Sequence, residues 1–171
     1  MLVSRARSFR LLIWWGILAP AALHAQDAAP SQSLDQAAPE PKPTRILSEV
    51  DAERLRSVQG ITLQWIDWDR RGDVAVSADR DGVWRLSGEQ LDESGAGVRV
   101  DGVITEIGAD YFKFEGRVQI ADTPDRGRSC DATKVWRFEA TQRRAYYRLR
   151  EFEWCDYLTD YIDIYFAPGL R

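Results

Sequence analysis

Between Gly60 and Phe166 the chain consists of short segments in which apolar and polar residues alternate, and turn residues separate one segment from the next. Alternation with a period of two predicts half-buried β-strands. The segments that show it are 60–68, 73–78, 82–91, 98–107, 111–120, 134–142, 145–154 and 159–166. Because they recur about every ten residues with turn signals between them, they predict an all-β antiparallel meander of about eight strands, closed as a small barrel or packed as a sandwich.

The last segment, TDYIDIYF, raises the question of whether its aspartates form an acidic site. One face carries Ile162, Ile164 and Phe166, and the other carries Tyr161, Asp163 and Tyr165. This pattern is typical of a strand with one buried side and one solvated or arginine-facing side. We therefore interpret the segment as a strand and expect Asp163 to pair with an arginine of the neighbouring strand.

One short helix is expected before the strands, in the segment SEVDAERLRSV. Ser48 and Asp51 resemble a capping box, with aspartate where glutamate is usual. A rough apolar stripe follows, made of Leu47, Val50, Leu55 and Val58. We predict a helix over 48–58 that ends at Gly60.

The N-terminus has the three parts of a secretory signal peptide. Arg5, Arg7 and Arg10 make its start positive, residues 11–23 form an apolar run of 13 residues, and Ala25 offers a cleavage point. A run of this length is too short to span a bilayer, which needs about 20 residues. We predict a periplasmic or secreted protein with no stable membrane insertion after cleavage near Ala25; the alternative is an uncleaved membrane anchor.

The next residues, 26–45, are rich in proline, alanine and glutamine and hold almost no large apolar side chain. Such a segment cannot bury enough surface to offset its ordering entropy, so it predicts a disordered linker. The expected organisation is a signal peptide over 1–25, a linker over 26–45 and a single β-barrel-like domain over 46–171.

Two cysteines, Cys130 and Cys155, are the only ones in the chain. An isolated pair in an exported protein predicts a disulfide bond. A hairpin with its turn centred on residues 141–144 would place the two cysteines opposite each other. The same register would pair Trp136 with Leu149, Phe138 with Tyr147 and Lys134 with Glu151.

Charge and histidine content exclude several function classes. Without residues 1–25 the chain keeps 20 basic and all 27 acidic residues, a net charge of −7 that disfavours binding to nucleic acid. The single histidine, His24, lies in the predicted signal peptide, so the mature chain lacks Ser-His-Asp and Cys-His catalysis and histidine-containing zinc sites. We predict no cofactor, no metal site and no catalytic residue.

Two kinds of acidic site stay open as alternatives. Paired carboxylates could hydrolyse glycosides, with Glu106, Glu115, Glu139 and Asp163 as candidates on the strands. Oxygen-rich turns could bind calcium, with Asp67, Asp69, Asp73, Asp79 and Asp81 as candidates, although Asp-Gly is first a turn signal.

Aromatic residues beside arginines can form a ligand cavity or a platform, and the alternative is that they fill the core. The candidate ligand-binding side chains are Trp84, Trp136, Tyr147, Arg148, Tyr161 and Asp163. Two strings also resemble the lipocalin family: Gly82-Val83-Trp84 is similar to its G-x-W string and Thr159-Asp160-Tyr161 to its T-D-Y string. This resemblance covers six residues and implies an eight-stranded barrel that carries a small apolar ligand, although strands precede the G-x-W string here.

The functional expectation is an exported small barrel that binds a small apolar or amphipathic ligand. The alternatives are a periplasmic protein that binds or inhibits another protein through its surface, and a carboxylate-based hydrolase.

Overall fold

The structure is a computed structural model that describes residues 40–170. The predicted signal peptide and residues 26–39 of the predicted linker lie outside this range. In chain order the elements are β1 (Arg45–Ile46), α1 (Glu49–Arg56), β2 (Val58–Leu63), β3 (Asp73–Ala78), β4 (Trp84–Leu91), β5 (Gly97–Gly108), β6 (Tyr111–Ala121), β7 (Ser129–Glu139), β8 (Tyr146–Leu149), β9 (Ile162–Phe166) and a 3₁₀ turn (Pro168–Leu170). Across 40–170 no helix is both long and apolar enough to cross a bilayer.

Strands β2 to β9 confirm the predicted all-β antiparallel fold. They follow the order β2-β9-β8-β7-β6-β5-β4-β3, so most neighbours in the sheet are also neighbours in sequence. The two ends of this sheet meet where Ile61 and Gly72 exchange backbone hydrogen bonds of 3.2 and 2.8 Å. The sheet therefore curls into a nearly closed barrel, which decides between the barrel and the sandwich.

The inward face of the strands fills the barrel with large side chains. Phe112 and Phe138 stack with ring centroids 4.9 Å apart, and Tyr147 meets Phe112 edge-on at 5.2 Å. Trp136 is fully buried and donates a hydrogen bond from its indole nitrogen to the carbonyl oxygen of Gly116 at 2.9 Å. The interior is thus a packed aromatic core, as in small barrels whose side chains meet at the centre.

Helix α1 covers one end of this barrel. Ser48 is its N-cap, since the Ser48 side chain accepts a hydrogen bond from the Asp51 N–H, as the capping pattern predicts. Ala52 and Leu55 of α1 are fully buried against the core. The helix ends at Arg56, two residues before the predicted boundary, because Val58 already belongs to β2.

A short strap precedes the helix, and the periodicity did not predict it. Arg45 and Ile46 pair in parallel with Glu106 and Ile107 of β5. Thr44 is buried, and its hydroxyl donates to the Ile104 carbonyl oxygen at 2.5 Å and accepts from the Trp84 N–H at 2.9 Å. The last residues of the predicted linker are therefore placed on the barrel wall.

The predicted register of the β7–β8 hairpin is wrong by two residues. Phe138 faces Leu149 rather than Tyr147, and the ladder ends there because β8 stops at Leu149. The turn between the strands is longer than the sequence suggested: it spans 140–145, with Gln142 and Arg143 in the left-handed conformation. A slip of two residues leaves every side chain on its expected face, so the apolar pattern alone cannot detect it.

The disulfide between Cys130 and Cys155 is confirmed, with the two Cα atoms 5.9 Å apart. Cys155 reaches Cys130 from the β8–β9 loop and not from a continued ladder. Trp154 packs edge-on against Trp136 at 5.2 Å in the same loop. Lys134 and Glu151 form the expected ion pair, although β8 has already ended at that point.

Antiparallel neighbours place alternate connections at opposite ends of the barrel. The loop end consists of the connections β2–β3 (64–72), β4–β5 (92–96), β6–β7 (122–128) and β8–β9 (150–161). The helix end consists of α1, the β3–β4 turn (79–83), the β5–β6 turn (109–110) and the β7–β8 turn (140–145).

Candidate functional site

An arginine and aromatic cluster extends from the loop end onto the outer face of β8 and β9. We call it the aromatic surface and define it by Trp65, Trp68, Arg148, Phe152, Tyr157 and Tyr161. Three of these side chains are strongly exposed for their type, Trp65 at 37%, Trp68 at 43% and Tyr157 at 93%. Contacts join Trp68, Arg148, Tyr161 and Phe152, while Trp65 and Tyr157 belong to the β2–β3 and β8–β9 loops at the same end of the barrel. Exposed aromatic residues of this kind are typical of interaction sites.

The centre of the aromatic surface is the ion pair of Arg148 and Asp163. The Arg148 guanidinium donates from Nε and Nη2 to the two Asp163 oxygens, both at 2.7 Å. The same guanidinium lies 4.1 Å from the centroid of the Tyr161 ring and 5.9 Å from that of Trp68. The expected pairing of Asp163 with an arginine of the next strand is therefore confirmed.

Asp163 is fully buried, although it points to the outer side of β9. Burial raises the pKa of Asp163, and the hydrogen bonds from Arg148 offset only part of that increase. Conversely, the Asp163 carboxylate raises the pKa of Arg148. The pair holds the guanidinium over the Tyr161 ring, because two parallel hydrogen bonds fix the plane of an arginine.

The β2–β3 loop is held in place by polar contacts made to its backbone. Gln90 donates from its amide nitrogen to the carbonyl oxygens of Asp67 and Arg70 at 2.8 and 2.7 Å, and its amide oxygen accepts from the Leu63 N–H at 2.5 Å. The Asp67 carboxylate accepts from the N–H groups of Asp69 and Arg70. Trp68 therefore extends from an ordered turn.

Arg128 joins three loops of the loop end. Its guanidinium donates to Asp156 and Asp160, and also to the Thr123 carbonyl oxygen at 3.1 Å. Asp160 in turn accepts from the Trp65 indole N–H at 2.9 Å. The Asp156 carboxylate raises the pKa of Arg128 most strongly, and burial opposes this effect only in part.

Tyr157 lies beside this junction. Asp156 and Tyr157 both adopt left-handed backbone conformations, with φ of 50° and 63°, and Cys155 before them is held by the disulfide. An L-residue in this region costs free energy unless its surroundings hold it. The loop therefore presents the Tyr157 ring to solvent from an anchored backbone.

The structure divides the candidate ligand-binding residues into two groups. Trp84, Trp136 and Tyr147 point into the core and are buried. Arg148, Tyr161 and Asp163 come together on the outer face. Sequence reasoning did not single out Trp65, Trp68, Tyr157 or Arg128 as site residues, and the signal that could have found the two tryptophans is their position at the end of a strand next to a turn.

Three of the four acids considered for hydrolysis, Glu106, Glu139 and Asp163, form ion pairs with basic side chains. Glu106 accepts from Arg45 and from Tyr111 (2.7 Å) and pairs with Lys113 (3.1 Å), while Glu139 pairs with Arg137 and Arg150. Glu115 lies on the outer face beside the strap, in a hollow lined by Glu40–Pro43.

Two of the five aspartates considered for calcium, Asp67 and Asp79, cap their own turns. Asp79 accepts from the N–H groups of Asp81 and Val83 at 3.0 and 2.8 Å, as Asp67 does in its turn. This is the ordinary role of aspartate in a tight turn. In the described chain, the one group close enough to hold a metal consists of Asp156 and the two cysteines, whose sulfur atoms are committed to the disulfide.

Comparison with known proteins assigns the chain to a family. The model of the PM1083 family matches residues 43–166, which include all nine strands and α1, and the chain belongs to this family. A relative from Pasteurella multocida (strain Pm70), named "Uncharacterized protein PM1083", is 37% identical over 106 residues, which make up 61% of this chain and 68% of that protein. No solved structure gives a significant match.

Proposed function

We propose that this protein is an exported binding module that engages another protein through the aromatic surface. The observation that carries the proposal is the contrast between the interior of the barrel and its loop end. Large side chains fill the interior, while Trp65, Trp68 and Tyr157 are exposed on anchored loops. The packed interior favours a protein partner over a small ligand carried inside the barrel.

The composition of the aromatic surface supports a protein partner. Tryptophan, tyrosine and arginine dominate the residues whose truncation weakens protein interfaces most. Arg148 is already paired with Asp163 and stacked on Tyr161, so little side-chain entropy remains to be lost on binding. The partner would place apolar or aromatic side chains over Trp68 and Tyr157.

Features of the N-terminal sequence and the disulfide support the proposed export. The apolar run at 11–23 with its preceding arginines is typical of a signal peptide, and a disulfide persists in an oxidising compartment. We therefore propose that the protein acts in the periplasm or outside the cell, where the partner would also be found.

The first experiment is native mass spectrometry of the protein purified from the periplasm. A bare monomer mass, two hydrogens below that of the reduced chain, is expected. Additional mass that is lost on denaturation would instead favour a bound small molecule and would contradict the choice of a protein partner. The same spectrum reports whether residues 1–25 have been removed.

The second experiment asks whether the aromatic surface captures a partner. Immobilised wild type, Trp68→Ala, Tyr157→Ala and Val135→Ala are incubated with envelope extract of the native host, and bound proteins are quantified. Val135 is a matched control, because it is 52% exposed on the outer face of β7 and lies outside the aromatic surface. A protein retained by wild type and Val135→Ala but lost from the other two variants is expected. Equal retention by all four would overturn the proposal.

A further inference from the structure

We propose that the helix end holds a binding site for a small oxyanion, a phosphate or a carboxylate group, formed by Arg54, Arg143 and Arg144. This site lies at the opposite end of the barrel from the aromatic surface and does not depend on the proposed function.

The site is a hollow of about 380 Å³ between α1 and two turns. Its lining consists of Arg54, Asp110, Ala140, Gln142, Arg143 and Arg144. Three of these six residues are arginines, in a chain whose net charge is −4. A concave patch with this local charge attracts anions even when the whole protein is acidic.

Arg54 forms the floor of the hollow and is held in one orientation. It is only 9% exposed, and its Nε donates to the Leu170 carbonyl oxygen at 2.6 Å. Its Nη1 donates to Asp51 at 2.9 Å and to Asp110 at 2.7 Å. These three contacts hold the guanidinium in the floor of the hollow.

The Asp51 carboxylate beneath Arg54 is shared with other donors. The Tyr147 hydroxyl donates to it at 2.6 Å and the Ser48 hydroxyl at 2.5 Å. Burial would raise the pKa of Asp51, but the hydrogen bonds from Ser48, Tyr147, the Asp110 N–H and Arg54 lower it overall. Asp51 therefore stays ionised and fixes Arg54 in place.

Arg143 and Arg144 form the rim of the hollow on an anchored turn. The Ala140 N–H donates to the Asp110 carbonyl oxygen at 2.9 Å, and the Arg144 N–H donates to the Thr141 carbonyl oxygen at 3.1 Å. Both arginines are exposed, and neither makes an ion pair with an acid within the described range. Their charge is therefore available to a ligand.

An oxyanion fits this donor set better than other ligands do. Guanidinium groups are planar forks that match the oxygen spacing of phosphate and carboxylate groups. The guanidinium groups of Arg54, Arg143 and Arg144 line one hollow and can surround such a group. The Asp110 carboxylate also lines the hollow but is paired with Arg54, so the net charge of the lining stays positive.

The test is calorimetric titration of the full chain with inorganic phosphate and, separately, with acetate, at constant ionic strength set by sodium chloride. The variants are Arg143→Ala/Arg144→Ala and the control Arg80→Ala/Arg126→Ala. The control removes two exposed arginines that likewise make no ion pair in the described structure but lie outside the hollow. All four positions are exposed, so circular dichroism should show folded proteins.

We expect saturable binding of phosphate or acetate that weakens by about tenfold or more in the rim variant and is unchanged in the control. The anion that binds more tightly identifies the ligand as a phosphate or a carboxylate compound. Equal weakening in both variants would show a general effect of charge and overturn the proposal. Absence of saturable binding of either anion to wild type would overturn it as well.

Discussion

Arg128 and Asp160 form a buried pair in which both carboxylate oxygens accept hydrogen bonds from one guanidinium, at 3.0 and 2.8 Å. Asp160 is fully buried and Arg128 nearly so. The pair connects the β6–β7 loop to the β8–β9 loop, and through the Trp65 indole it also reaches the β2–β3 loop. The order of the aromatic surface therefore depends on a junction beneath it.

Removal of the guanidinium should strongly destabilise the fold. Arg128→Met leaves Asp160 buried without its partner, and breaking a buried pair in this way costs about 3–5 kcal/mol of unfolding free energy. Arg128→Met/Asp160→Leu removes both charges and should recover part of the loss. Urea unfolding, followed by tryptophan fluorescence, measures the unfolding free energy of the single and the double variant. A single variant within about 1 kcal/mol of wild type would show that water replaces the guanidinium.

The disulfide should contribute about as much unfolding free energy as the buried pair of Arg128 and Asp160. It closes a loop of 25 residues, for which chain entropy predicts about 3 kcal/mol of stabilisation. Cys130→Ala/Cys155→Ala should lower the unfolding free energy by that amount, and reduction of the wild type should give a similar shift. Mass analysis of the wild type purified under oxidising conditions should find no free thiol. Two free thiols in that protein would contradict the bridge.

Regular alternation carries information about strands and faces, and this is why the antiparallel meander and the pairing of Asp163 with an arginine could be predicted. The capping pattern at Ser48 predicted α1. The register of β7 and β8 could not be predicted. A shift of two residues keeps Phe138 and Leu149 on the inner face, and turn length decides between the two registers.

The junction around Arg128 also escaped prediction. Arg128 and Asp160 both lie in irregular segments, where no period relates them, and 32 positions separate them in the chain. The burial of Asp163 has a similar origin. Its outer side is covered by Arg148, which itself lies near Trp68 of the β2–β3 loop, and local alternation does not encode such a contact.

Close packing of the strands predicts that replacement of Gly116 by alanine lowers the stability of the fold. A Cβ atom there would lie 2.4 Å from the Asp101 carbonyl oxygen and 2.4 Å from the Phe114 ring. Gly116→Ala should cost about 1–3 kcal/mol, because overpacking forces the backbone or the ring to move. Gly169→Ala is the control, since among residues 40–170 no heavy atom other than those of its chain neighbours lies within 4 Å of a Cβ placed there. Thermal unfolding compares them, and equal melting temperatures would contradict the tight packing.

The Tyr147 hydroxyl should stabilise the folded protein through its hydrogen bond to Asp51. It is fully buried and donates to an ionised carboxylate at 2.6 Å, so Tyr147→Phe should cost about 1.5–3 kcal/mol. Burial, followed by the hydrogen bond to Asp51, raises the pKa of this phenol, which stays protonated at neutral pH. Tyr146→Phe is the matched control on the outer face, where the hydroxyl makes only a 3.5 Å contact with Arg148. Urea unfolding should separate the two variants clearly, and equal losses would show that the Asp51 contact adds no stability.

Glu106 should make stability depend on pH in the acidic range. Hydrogen bonds from Arg45, Tyr111 and Lys113 lower the pKa of Glu106 from its ordinary value near 4.5 to about 2. Between these two pKa values the folded state binds fewer protons than the unfolded state. The contribution of Glu106 to the unfolding free energy is therefore complete above pH 4.5 and is lost as the pH falls towards 2. Glu106→Gln should reduce the slope of unfolding free energy against pH in that window, measured by urea titration from pH 2 to 6. Glu115→Gln removes an acid without an ion pair in the described chain, and a slope reduced equally in both variants would contradict the role of the Arg45 and Lys113 contacts.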